Sequence, residues 1–238
     1  MQKRLLFLGL LLVNLPVLAQ DEIPTALTSY YQPSLDELQS RIWLRKDQPD
    51  LQYSACLDKQ VSTEQRIVVM CGYLTGASEP DTAPFDIWYL NGDAITARIT
   101  TEGYGRMGTS GGAKAVKIGD RWGVVLKSSY MMQGFEQTFQ QFYVAQGKNI
   151  QLIASLPTYS SSEDFGAEKE GYSIDKLDTQ VAFAQKYTGT YPNMLLHATG
   201  VLEGEKIDKQ WSVPFDSKTN KYLIPEEIDI GYCCHAVL

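Results

Sequence analysis

The sequence predicts an all-β protein, an antiparallel meander of about 12 strands forming a sandwich or open barrel, with one short N-terminal helix. Three observations lead there. Short runs rich in Val, Ile, Thr, Phe, Tyr and Trp fill the chain from about residue 51 onward. Turn residues separate these runs about every 14 residues. Three glycine turns, at Gly92, Gly147 and Gly204, sit in similar surroundings between such runs.

Residues 1–19 read as a secretory signal peptide. Lys3 and Arg4 form a basic start, and Leu5 to Leu18 is almost wholly apolar. Cleavage is expected after Ala19. The apolar run of about 14 residues is shorter than the ~20 a membrane-spanning helix needs. The first cysteine is Cys56, so no lipid attachment point follows the cleavage site. The pattern is bacterial in type and implies a periplasmic or secreted protein. No membrane insertion is expected after cleavage.

Residues 20–50 form a polar lead-in with Pro24 and Pro33, then the expected helix. Ser34 and Glu37 have capping-box spacing, and Leu35, Leu38 and Ile42 follow at helical spacing. These predict an amphipathic helix over about 35–45, ended by Pro49 and its flanking aspartates.

Residues 51–238 constitute the all-β domain. Its clearest strands are residues 65–74, 85–90, 94–100, 121–131 and 150–156. Turns are expected near residues 64, 80, 92, 107, 119, 133, 147, 165, 176, 190, 204 and 218. Asn91-Gly92 reads as a type I′ hairpin, which needs positive φ at both positions. Gly92, Gly147 and Gly204 lie about 55 residues apart, and a propeller-like arrangement is the alternative this spacing allows. Phe135, Phe139, Phe142 and Tyr143 lie at helical spacing, but their segment's residue types favour strand.

Four cysteines in an exported chain point to disulfides. Cys56 and Cys71 lie at nearly equal distances from a turn at 63–64. In an antiparallel hairpin they would face each other at a bridgeable separation. The rival pairing ties the C-terminal tail to one of them.

The candidate chemistry centres on residues 103–114, GYGRMGTSGGAK. Gly103 to Gly108 fits GxGxxG, but a dinucleotide site needs a helix next, and AKAVKIGDRWGVVL alternates like a hairpin. Gly108 to Gly112 fits GxSxG, and as GxSGG it resembles the nucleophile segment of trypsin-like proteases. That resemblance covers five residues and departs in order, since His197 and His235 both follow Ser110. The hydrolase alternative is therefore Ser110 with His197. The simpler reading makes the five glycines a mobile loop between strands. His197, in an apolar strand, reads as a core histidine.

Cys233, Cys234 and His235 form a soft donor set, which gives the metal-handling alternative. The acidic stretch with Glu163, Asp164, Glu168 and Glu170 lacks the spacing of a calcium loop and reads as solvated. No cofactor is implied. The net charge is −7, and about −9 without Lys3 and Arg4, which argues against nucleic acid. The expectation is a non-catalytic binding module for a protein or an envelope glycan.

Overall fold

Two antiparallel sheets stack face to face in the computed structural model of the chain, which describes residues 22–132, 134–163 and 174–228. The first sheet holds six strands in chain order: β1 (Tyr31–Leu35), β2 (Arg41–Arg45), β3 (Gln48–Gln60), β4 (Gln65–Leu74), β5 (Pro84–Asn91) and β6 (Ala94–Glu102). The second holds seven: β7 (Gly112–Ile118), β8 (Arg121–Met132), β9 (Phe135–Gln146), β10 (Asn149–Ser161), β11 (Lys176–Phe183), β12 (Met194–Leu202) and β13 (Glu205–Val213). A short ribbon, β14 (Phe215–Asp216) with β15 (Lys221–Tyr222), follows. Each long strand pairs with its chain neighbours, so both sheets are meanders and neither closes into a barrel. The propeller-like alternative is not formed. All five strands read most clearly from the sequence are present. The expected turn near 176 is not, because Lys176 opens β11.

The sandwich interior lies between the sheets. Ile67, Val69, Phe85 and Ile87 pack with Val124, Leu126 and Tyr143. The alternate residues of β4 and β5 point the other way. Val68, Met70, Trp88 and Leu90 are buried under Ile23, Leu27 and Tyr31 of the N-terminal segment. The second sheet is also covered twice. Phe142, Val144 and Ile153 pack with Met194 and Leu196. That third layer arises at a seam. β10 and β11 pair only at Tyr159–Asp178, Ser160–Leu177 and Ser161–Lys176. Past these pairs β11 brings its Phe183 edge-on to Phe142, with ring centres 5.8 Å apart. Burial on both faces also explains the ambiguous Phe135–Tyr143 spacing, since Phe142 and Tyr143, on opposite sides of β9, are both buried.

The expected helix at 35–45 is a β-hairpin. Leu35 and Leu38 are exposed, so their helical spacing marks no buried stripe. Asp36 takes the turn instead: its carboxylate accepts hydrogen bonds from the backbone N–H groups of Leu38 (2.9 Å) and Ser40 (2.8 Å). Pro33 sits in β1, the edge strand, where no ladder N–H is required of it. β1 and β2 accordingly lie in the same sheet as β3 to β6.

The Cys56–Cys71 disulfide is formed, with Cα atoms 5.7 Å apart. The two residues are not opposite each other, however. Cys71 pairs with Ser54, and the ladder skips Cys56 between Ala55–Met70 and Leu57–Val69. A β-bulge at Cys56 supplies the offset that the sulfur needs. The Asn91-Gly92 turn is also shifted. Asn91 pairs with Ala94, leaving Gly92 and Asp93 as the loop, and only Gly92 has positive φ. Both loop positions are positive instead at Glu203-Gly204, between β12 and β13.

Candidate binding cleft

The glycine segment 103–111 joins β6 to β7 and is the crossover between the two sheets. It is largely buried rather than an exposed loop. Gly103, Gly105, Gly108 and Ser110 are buried. The segment is laced to residues 72–83 by backbone hydrogen bonds: Leu74 N–H to Gly108 O, Gly108 N–H to Asp81 O, Ser110 N–H to Gly72 O and Gly103 N–H to Ala83 O. Arg106 adds an ion pair to Glu79. Glycine is required here for close approach. A Cβ on Gly108 would sit 2.3 Å from Leu74 O, and one on Gly111 would sit 2.2 Å from Lys127 O.

One side of this crossover forms the rim of a cleft of about 830 Å³. Its floor is one face of β8 and β9, set by register. Gly112, Lys127 and Gln140 form one cross-strand rank. Lys114, Val125 and Phe142 form the next, and Val116, Gly123 and Val144 the third. Of the third rank only Val116 lines the cleft, so the lining mixes polar Lys114, Lys127 and Gln140 with apolar Val116, Val125 and Phe142. Opposite β7, the wall is Val181, Ala182, Phe183 and Gln185. The cleft exists because β11 separates from β10 after three pairs.

The charge in the cleft is opposite to that of the chain. Its lining holds Lys114, Lys117 and Lys127 and no Asp or Glu, in a protein with 28 acidic and 21 basic residues. Among the described residues, none of these three lysines has an ion-pair partner within 4.0 Å. All three are exposed.

The candidates named from the sequence do not assemble here. Ser110 is 1% exposed and its hydroxyl has no hydrogen-bond partner, while its carbonyl accepts from the Ser128 hydroxyl at 2.7 Å. His197 is not a core residue. It alternates with buried Leu196 and Ala198 in β12, and its Nε2 meets Asp208 Oδ1 at 2.8 Å on the outer face. Ser110 and His197 make no hydrogen bond to each other. Cys233, Cys234 and His235 lie outside the described residues, as does the 1–19 segment. Among the described residues, no group of three His, Cys, Asp or Glu side chains converges as a metal site. No described helix is long and apolar enough to cross a membrane.

Lys114, Lys127 and the 181–185 wall belong to no motif in the sequence. Strand alternation places Lys114 beside Val116, so half of the pattern was readable. Nothing local announces that β11 will stand opposite β7. No protein family, curated protein or solved structure matches the chain.

Proposed function

We propose that this is an exported, non-catalytic binding module whose cleft holds a protein or envelope-glycan partner. One observation carries the reading: an open cleft of about 830 Å³, partly apolar and bearing lysines without acids, in an acidic chain. Its volume is within the ~300–1,000 Å³ range of ligand sites. Export is supported by the basic-then-apolar N-terminus and by the Cys56–Cys71 bridge, which persists in oxidising compartments. The sealed Ser110 hydroxyl, with no imidazole hydrogen-bonded to it, supports a role without nucleophilic chemistry.

Site-specific photocrosslinking tests the reading. Benzoylphenylalanine at Gln185, on the cleft wall, should trap a macromolecule in the producing cells. The same group at Lys209, exposed on β13, should not. No adduct at Gln185, or equal adducts at both positions, would overturn the proposal. So would fluorophosphonate labelling abolished by Ser110→Ala. Export predicts a mature chain beginning at Gln20. Intact mass reads this directly, and retained Met1 in the exported fraction would count against it.

A further inference from the structure

We infer that the cleft accepts an extended acidic peptide, added as a strand to the free edge of β7. This deepens the binding-module reading and rests on it.

The first observation is which residues line the cleft. From Gly111 to Lys117 they are consecutive. Alternate residues of a strand point to opposite faces, so a cleft over one face would be lined by every second residue. A consecutive run means that the backbone edge itself borders the space. β7 is the terminal strand of its sheet and pairs only with β8. Its outer row of N–H and C=O groups is a template for another strand. The opposite wall repeats the pattern. Val181, Ala182 and Phe183 are consecutive, and β11 pairs there only with β12. The cleft is a slot between two strand edges.

The second observation is space at the backbone. A Cβ on Gly112 would meet nothing within 4 Å, unlike one on Gly111 beside it. Glycine in a strand with open space around it lets another backbone come close. Val116 of β7 and Val181 and Phe183 of the opposite wall offer apolar contact to side chains of an incoming strand.

Charge then selects the occupant. Lys114, Lys117 and Lys127 favour carboxylates. They disfavour a second copy of this chain through β7, because that strand carries two lysines and no acid, so two such edges would bring like charges near each other. The lining has no carboxylate to accept from sugar hydroxyls and no Tyr or Trp, although Ser129, Gln140 and Gln185 can hydrogen-bond polar groups of either ligand. Peptide is favoured over glycan. β7 is seven residues long, so the bound segment is about seven residues, or ~24 Å of extended chain.

Selection from a displayed random dodecapeptide library against the full mature protein tests this. Enriched sequences should carry Asp or Glu alternating with apolar residues. A fluorescent copy of one should bind at least tenfold more weakly to Lys114→Glu/Lys127→Glu, whose surface changes spare the fold. Proline placed singly at 113, 114, 115, 116 and 117 should abolish binding with a period of two among variants that keep the wild-type melting temperature. Positions whose N–H faces the slot lose binding; those facing β8 lose stability instead. Binding without that period would refute strand addition and leave the binding module standing. Crosslinks from Gln185 to glycan, with no peptide enriched, would do the same. Dimerisation through β7, measured by sedimentation, would make the occupant a second copy and refute the inference.

Discussion

Gly111 and Gly112 are neighbours with opposite reasons for being glycine. Gly111 has φ of 123° and faces the Lys127 carbonyl, whereas Gly112 faces open space. Gly111→Ala should therefore cost at least about 2 kcal/mol, from strain and from displaced backbone. Gly112→Ala should leave stability within about 0.5 kcal/mol. Urea midpoints of the two variants decide; equal losses would mean that the crossover tolerates side chains. Ser110→Ala should be neutral or stabilising by up to about 1 kcal/mol, because the change removes a buried hydroxyl that has no partner. Asp86 is a second buried site, 1% exposed in β5. It accepts hydrogen bonds from the Tyr31 hydroxyl, from Arg45 (3.0 Å) and from Thr100. Burial first, and the Asp86 charge second, raise the Tyr31 phenol well above its ordinary value and push Tyr53 up to about 12. Folding keeps these phenols neutral, so their contribution is complete below pH ~10; that of Tyr53 is lost as pH rises through about 12, and that of Tyr31 at higher pH still. Alkaline titration should show a late rise in phenolate absorbance that coincides with loss of the fold. Independent, early ionisation of all tyrosines would contradict the burial.

The β3–β4 hairpin shows what an element adds to its residues. Cys56 and Cys71 are 15 apart in sequence, and the bulge at Cys56 turns an offset pair into a bridge. Closing such a loop restricts the unfolded chain by about 3 kcal/mol. Cys56→Ser/Cys71→Ser should lower unfolding stability by that order, seen as a shifted denaturant midpoint. A loss under about 0.5 kcal/mol would show that the hairpin holds its register without the bond. The β1–β2 hairpin teaches the complementary point. Ser34 and Glu37 match a cap, but a cap without a buried apolar stripe does not make a helix. Its strands instead place Tyr31 and Arg45 over Asp86 and Trp43 over the sheet.

Across the whole molecule, the layers depend on one another. The N-terminal segment covers Val68, Met70, Trp88 and Leu90, and Tyr30 packs at a tilt against Trp88 with ring centres 4.7 Å apart. Arg98 lies over Tyr30 at 4.6 Å. Deleting residues 22–47 should thus expose an apolar face and give aggregated or non-cooperatively unfolding protein. A truncated chain that melts like the full one would support the reading of residues 20–50 as a separate lead-in. Long antiparallel meanders were legible because period-two alternation and turn chemistry are local. The all-β class, the strands β4, β5, β6, β8 and β10, the hairpin turns near 119 and 147, and the Cys56–Cys71 pairing could each be argued within a few dozen residues. What the chain could not announce is how its layers fold over. β10 pairs with β11 at only three positions, and beyond them Phe183 packs on Phe142, 41 residues away in sequence. This short pairing creates the cleft, sets two strand edges opposite each other, and leaves Lys114 and Lys127 facing open space. The glycine segment was visible as a motif, yet its meaning is steric. Carbonyls of Leu74 and Lys127, brought up by two different sheets, forbid side chains at Gly108 and Gly111. Local pattern determined the strands; contacts between residues distant in sequence determined which surfaces they leave free.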